Sequence, residues 1–191
     1  RVFHVGSLSL TDDPSRTATY EAINIARNSG AVISYDPNYR AALWSDPETA
    51  QLRMQSLIPY VDMMKISDEE TSLLTPYQDP EEAIQYLLRQ GVHLVAVTLG
   101  RDGALIGNEN GIIKAEGFSS HAVDTTGAGD SFWGGFLASY LPEETSPEHL
   151  TRAQMIQFGR VGNAVASLCV ERRGGISAIP EMEEIEERLR G

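Results

Sequence analysis

The sequence contains DTTGAGDSFWGGF at Asp124–Phe136, and this glycine-rich segment runs directly into a helical pattern. Small residues at Gly127–Gly129 let the backbone come close to a bulky anion. A helix that begins here presents free N–H groups and the positive end of its dipole. The segment therefore predicts an anion hole that holds a phosphate group and stabilises the charge of its transfer.

Asp130 lies in the first turn of this predicted helix, beside the anion hole. A carboxylate there is placed to accept the proton of an attacking hydroxyl. A weak base suffices for phosphoryl transfer, because positioning and charge matter more than basicity in its loose transition state. The alternative interpretation is a glycine-rich turn in which the aspartate only caps a helix, and the spacing alone does not decide between the two.

The rest of the chain alternates between strand and helix patterns. Strands are predicted at 2–10, 31–35, 61–66 and 93–99, with a hairpin-like pair at 104–108 and 111–118, and helices at 17–29, 47–57, 67–74, 80–90, 127–140, 147–172 and 180–190. This alternation predicts an α/β layered domain with mostly parallel strands and right-handed crossovers. Ligands of such sheets collect at the carboxyl ends of strands. Polar or glycine-rich motifs stand at these predicted ends: Gly6-Ser7, Asp36-Pro37-Asn38, Ser67, Gly100 and Asp124.

The composition excludes several classes of partner. The chain carries a formal net charge of -12, which disfavours binding to nucleic acid or to an anionic membrane. No apolar stretch approaches the roughly 20 residues that a membrane span needs. The single cysteine, Cys169, allows no internal disulfide and reads as a buried small apolar residue. Together with the lack of a signal peptide, this predicts a reducing, cytoplasmic location.

The segment Asp124–Phe136 resembles the C-terminal signature of the ribokinase-like (PfkB) sugar kinases, with one residue more between the glycines and the final phenylalanine. The resemblance implies a three-layer α/β sandwich with a mostly parallel sheet. It implies that Asp130 is the catalytic base and that the backbone of Gly127-Ala128-Gly129 forms the anion hole, with Gly127 and Gly129 also contacting ATP.

The same resemblance implies functions for two further motifs, one that binds ATP and one that organises Mg²⁺. Thr98, Gly100 and Gly103 belong to a Thr-x-Gly-x-x-Gly turn that lines the ATP phosphates and ribose in the family, although a plain β-turn explains the glycines equally well. Glu70 aligns with a glutamate that organises Mg²⁺ through water. Ser67 replaces the family's asparagine, and Ser67-x-x-Glu70 is also a helix capping box.

The resemblance also implies polar residues that contact the substrate, the adenine base of ATP and a monovalent cation. Asn38 and Arg40 resemble the Asp-x-Asn-x-Arg motif that lies near the substrate or the transferred phosphate, and a planar, always-charged arginine suits that role. The alternative is an Asx-Pro turn with a solvated arginine. Asn163 resembles an asparagine near the adenine pocket. Asp124 and Ser177 resemble residues of a monovalent cation site for K⁺, although Gly174-Gly175 beside Ser177 could simply end a helix.

The chain starts inside a predicted strand and without methionine. We therefore expect residues 1–191 to be the C-terminal, nucleotide-binding and catalytic portion of a single ribokinase-like domain, with the N-terminal part and the lid absent. The full-length protein is expected to form a homodimer.

The resemblance implies phosphorylation of a sugar hydroxyl that depends on ATP and Mg²⁺. Fructose is the expected acceptor, because Phe3–Leu8 and Ser34–Asn38 look like bacterial fructokinases. The alternatives within the class are 2-keto-3-deoxygluconate first, and then ribose and nucleosides. A nucleotide-binding module without catalysis is the alternative outside it, and the intact Asp130 argues against that interpretation.

Overall fold

Six strands form one sheet, in a computed structural model that describes all residues, Arg1–Gly191. The strands follow one another across the sheet in chain order, and β2 pairs in parallel with both β1 and β3. The register places Val5 of β1 opposite Tyr35 of β2. The strands are β1 (Val2–Gly6), β2 (Val32–Asp36), β3 (Met63–Ser67), β4 (Leu94–Thr98), β5 (Ala104–Asn108) and β6 (Gly111–Ala115).

Seven α-helices alternate with or follow these strands, as the sequence predicts for an α/β fold. They are α1 (Ser15–Asn28), α2 (Pro47–Gln55), α3 (Thr71–Leu74), α4 (Pro80–Arg89), α5 (Ala128–Tyr140), α6 (Arg152–Cys169) and α7 (Met182–Arg190). None of them combines the length and the apolar character needed to cross a bilayer.

The contacts divide the chain into two compact units. The first comprises Arg1–Val97 with Gly107–Glu109, and the second comprises Thr98–Ile106 with Asn110–Gly191. In the first unit, residues 33–36 of β2 and 63–66 of β3 are all buried. Continuous burial of this kind is typical of central parallel strands that are covered on both faces.

In the second unit, apolar residues of α6 pack against α7. Ala164, Val165 and Leu168 form a buried cluster with Ile185, and Phe118 packs against its edge. This packing fixes α6, which carries Asn163 on the same turn as the cluster.

Two details of the predicted elements are corrected by the structure. The predicted helix at 147–172 is instead a short 3₁₀ turn, Pro147–His149, followed by α6, because Thr151 and Gln154 form a capping box that starts a new helix. Asp124 does not follow a strand directly. Strand β6 ends at Ala115, and residues 116–123 leave the sheet without regular structure.

Candidate functional site

The N-terminus of α5 has no side-chain cap, and of its first N–H groups that of Ala128 donates to the Thr125 carbonyl at 3.2 Å. Gly127 precedes the helix in the left-handed conformation, with φ of 80°. The first helical hydrogen bond runs from the Ser131 N–H to the Gly127 carbonyl, at 2.8 Å. Asp130 lies exposed in this first turn. The uncapped N–H groups and the helix dipole suit a phosphate group.

The loop that leads into α5 is held by Asp124. One carboxylate oxygen accepts the Gly174 N–H at 3.0 Å, and the other accepts the Thr126 N–H at 2.9 Å. These two hydrogen bonds lower the pKa of Asp124 to about 2, and the bond from Gly174 has the larger effect. Asp124 therefore stays ionised at neutral pH and ties the loop at residues 124–127, here called the phosphate loop, to the turn at Gly174.

Close backbone packing explains why glycine stands at position 127. An added Cβ there would lie 3.1 Å from Cα of Gly175. The same two segments are joined further along, where the Val123 N–H donates to the Val170 carbonyl at 2.7 Å. The buried Cys169 lies against this contact, with its thiol 3.8 Å from the Thr126 carbonyl oxygen. The residues after α6 thus support the loop that forms the predicted anion hole.

Aromatic packing fixes the position of α5 itself. Phe136 is fully buried, stacks on Trp133 with ring centroids 5.1 Å apart and meets Phe158 of α6 edge-on. Phe132, also buried, lies in the turn directly after Asp130. A helix held in this way presents its N-terminus as a rigid feature, which transition-state stabilisation requires.

A cavity of about 260 Å³ reaches the start of α5. Its lining combines the turn after β4, the segment after β6, the phosphate loop and one face of α6. Most of the lining residues are small or apolar, which suits a flat aromatic base. They include Gly100, Arg101, Gly117, Ala122, Thr125, Ala128, Asn163 and Ala166.

Asn163 shapes this cavity through the backbone. Its buried side-chain amide donates to the carbonyl oxygens of Ala115 and Glu116, at 2.9 and 3.0 Å. Both N–H groups are used, so Asn163 fixes the exit of β6 and leaves only its amide oxygen for a ligand.

The turn after β4 has two different glycines. Gly103 is needed for packing, because an added Cβ would lie 2.1 Å from the Ala115 carbonyl oxygen. Gly100 is exposed, with φ of 56° and open space around it, and lines the cavity. Thr98 is the last residue of β4. A nucleotide with its base in the cavity and its phosphates at α5 fits this arrangement.

Ser177, the second residue assigned to the cation site, is exposed and donates to the Arg173 carbonyl at 3.3 Å. No three His, Cys, Asp or Glu side chains in the structure converge as a metal site. A divalent ion bound here would therefore depend on phosphate oxygens and water, as Mg²⁺ commonly does.

In the first unit, Glu70 joins the ends of two strands. One carboxylate oxygen accepts the Tyr39 N–H at 2.8 Å, and the other accepts the Ser67 N–H at 2.9 Å. The capping box predicted from the sequence is present. Glu70 is buried, with 8% of its surface exposed, so its first role is to hold the loop after β2.

The loop after β2 presents Asn38 and Arg40. Asn38 has φ of 47° and donates its N–H to Asp36 at 3.1 Å. Arg40 is exposed, and its guanidinium donates to the Tyr39 carbonyl at 3.0 Å. This leaves most of its donors available to an anion.

One polar pair in this unit was not singled out from the sequence. Lys65 and Asp36 form a buried ion pair with 2.9 Å between Nζ and Oδ2. A lysine inside β3, next to the apolar residues Met63, Met64 and Ile66, was the available signal.

Comparison with known proteins identifies the family. Residues 1–182 match the pfkB family carbohydrate kinase profile. The chain is 36% identical over 193 residues to "Probable fructokinase-4" of Arabidopsis thaliana, covering 100% of this chain and 58% of the relative, so it spans little more than half of that protein's length.

Solved structures agree with this similarity. Fructokinase from Vibrio cholerae O395 with fructose, ADP and calcium ion bound superposes with a TM-score of 0.90 at 32% identity, over 98% of this chain and 60% of that one. An engineered double mutant with fructose, ADP and potassium ion bound gives 0.91 at 31% identity, over 99% and 60%. The match over residues 1–182, supported by these structures, shows that the chain belongs to the pfkB family of carbohydrate kinases.

Proposed function

We propose that the protein transfers the γ-phosphate of ATP to a hydroxyl group of a sugar, with fructose as the acceptor. The observation that carries the proposal is the uncapped, glycine-preceded N-terminus of α5, with Asp130 in its first turn and the cavity beside it. Phosphoryl transfer needs little covalent chemistry from the protein, and these features supply positioning and charge.

Each part of the site has a distinct role in this reaction. The cavity at Asn163 holds the adenine base of ATP, and the turn at Thr98–Gly103 contacts its ribose and phosphates. The N–H groups of Gly127–Gly129 bind the transferred phosphate and stabilise its charge. Asp130 accepts the proton of the attacking hydroxyl.

Residues of the first unit act on the acceptor side. Asn38 and Arg40 contact the sugar or the transferred phosphate, and the arginine fork suits phosphate geometry. When bound, Mg²⁺ neutralises the charge of the phosphates. Glu70 would contribute to holding the ion through water, while its carboxylate holds the loop at Tyr39.

Fructose is supported by the solved Vibrio cholerae relative, whose bound ligands include fructose and ADP. The potassium ion bound to its double mutant supports a monovalent cation as part of the proposal, with Asp124 and Ser177 as its expected site. A cation there would stabilise the phosphate loop, which Asp124 ties to Gly174.

A panel of acceptors tests the proposal. ADP release is measured with fructose, 2-keto-3-deoxygluconate, ribose and no acceptor, each with ATP and Mg²⁺. The expected result is the highest kcat/KM with fructose and almost none without a sugar. Nucleotide binding without turnover on any acceptor would refute the proposal and favour a binding module.

A further inference from the structure

The ion pair between Asp36 and Lys65 is almost completely shielded from water. The Lys65 side chain is 6% exposed and that of Asp36 is 3% exposed. Lys65 stands in β3 between Met64 and Ile66, which are both fully buried. A buried ion pair contributes little net stability compared with an apolar pair of similar volume, because both charges lose their hydration. Stability alone is therefore a poor reason for two charges at this position.

The pair is connected to the loop that carries Arg40. Asp36 uses one oxygen for Lys65 and the other for the Asn38 N–H, at 2.9 and 3.1 Å. Asn38 is the only residue other than glycine with a positive φ, a region that asparagine tolerates, and the Asp36 side chain accepts its N–H as in an Asx turn. The orientation of one carboxylate thus fixes the turn at Asn38.

Neighbouring bonds complete the support of this loop. The Ser7 N–H donates to the Pro37 carbonyl at 3.3 Å, and Glu70 accepts the Tyr39 N–H. The backbone is thereby fixed at consecutive positions immediately before Arg40, whose side chain remains exposed. Among these supports, only the Asp36 carboxylate is itself held by a buried cation.

We propose that Asp36 and Lys65 are positioning residues for the acceptor side of the reaction. Lys65 orients the Asp36 carboxylate, the carboxylate fixes the turn at Asn38, and the turn sets the positions of Asn38 and Arg40 toward the sugar or the transferred phosphate. The inference rests on the proposed function, and it assigns roles to two residues that touch neither substrate.

Two charge-neutral double variants separate positioning from stability. D36N/K65M keeps a side-chain oxygen for the Asn38 N–H, whereas D36L/K65M has nearly the same shape and no acceptor. Both variants avoid an uncompensated buried charge. We expect the KM for the sugar to be about tenfold higher in the leucine variant than in the asparagine variant, the effect of losing one positioning hydrogen bond. The KM for ATP should be equal in the two.

The single variant K65M tests the role of the lysine. It leaves the carboxylate without its cation, so its kcat/KM for the sugar should fall below that of D36N/K65M. Urea unfolding of every variant confirms that rates are compared on folded protein. If the leucine variant does not fold, D36A/K65M replaces it, since alanine also lacks the acceptor.

The outcomes distinguish this inference from the proposed function. Equal sugar KM values in the two double variants, or K65M as active as the parent, would overturn the inference while the parent remains a sugar kinase. A parent without sugar-dependent turnover would refute the proposed function and the inference together. A higher sugar KM confined to the variant without the acceptor, at an unchanged KM for ATP, supports the inference, because a merely structural pair would affect both double variants alike.

Discussion

The substitution Gly127→Ala adds a single methyl group, yet it should lower both the stability of the phosphate loop and the rate of turnover. Gly127 has φ of 80°, a region that costs an alanine about 1–2 kcal/mol. The new Cβ would also lie 3.1 Å from Cα of Gly175, so one of the two loops must move. We expect the free energy of unfolding to fall by at least about 1 kcal/mol. Displacing the N–H donors should lower turnover, by up to about 10²-fold, which is the cost of a ~1 Å misplacement.

Gly134→Ala is the matched control on the same helix. Gly134 lies inside α5, is exposed, and has no heavy atom within 4 Å of an added Cβ. Alanine should therefore raise stability by about 0.5–1 kcal/mol, since glycine weakens a helix interior. Urea unfolding and sugar-dependent ADP release are measured on both variants. The reasoning would be refuted if Gly127→Ala matched the parent in both assays, or if the control lost as much activity.

Three further predictions address the loops around this site. Asp124→Asn should lower the free energy of unfolding at neutral pH. Because folding lowers the pKa of Asp124 from 3.8 to about 2, the parent's advantage should persist above pH ~4 and shrink as the pH falls toward 2. Urea unfolding at several pH values measures this difference, and a difference that does not change with pH would contradict the prediction. Asn163→Asp should lower the free energy of unfolding by about 1–3 kcal/mol and weaken ATP binding measured by calorimetry. The reason is that it replaces the amide group that donates to two carbonyl oxygens with an oxygen that can only accept. Asn24→Asp, on the exposed face of α1, is the control and should change neither quantity. Turnover should be higher in potassium than in a bulky organic cation at matched ionic strength, and equal rates would remove the monovalent cation from the proposal.

Local sequence patterns predicted the elements well. Strand β2 was expected at 31–35 and occurs at Val32–Asp36, and α5 was expected at 127–140 and begins one residue later. The start of α1 was predicted less well. The helix was expected at 17–29 but begins at Ser15, where Asp13 accepts the Thr17 N–H at 3.1 Å. Periodicity and capping chemistry act over a few residues, so they locate the elements but misplace some ends. The strand expected at 2–10 ends at Gly6, and the helix expected at 147–172 begins at Arg152.

The connections between elements were not readable from the sequence. The bond from Tyr39 to Glu70, the pair of Asp36 with Lys65 and the bond from Gly174 to Asp124 each join residues far apart in the chain. Nothing in the local pattern around any of these residues names its partner. Such bonds depend on which strand ends and turns the fold brings together, and they decide how the predicted site residues are held.

The central claim is that Asp130 acts as the base in phosphoryl transfer to a sugar, and phosphorus NMR tests it most directly. The protein and its Asp130→Asn variant are each incubated with ATP, Mg²⁺ and fructose, and the appearance of a sugar phosphate signal is followed. The account predicts that the parent forms fructose phosphate and that the variant forms it about 10²–10⁴-fold more slowly, while binding ATP equally well. A variant that forms fructose phosphate within a few-fold of the parent rate would contradict the account.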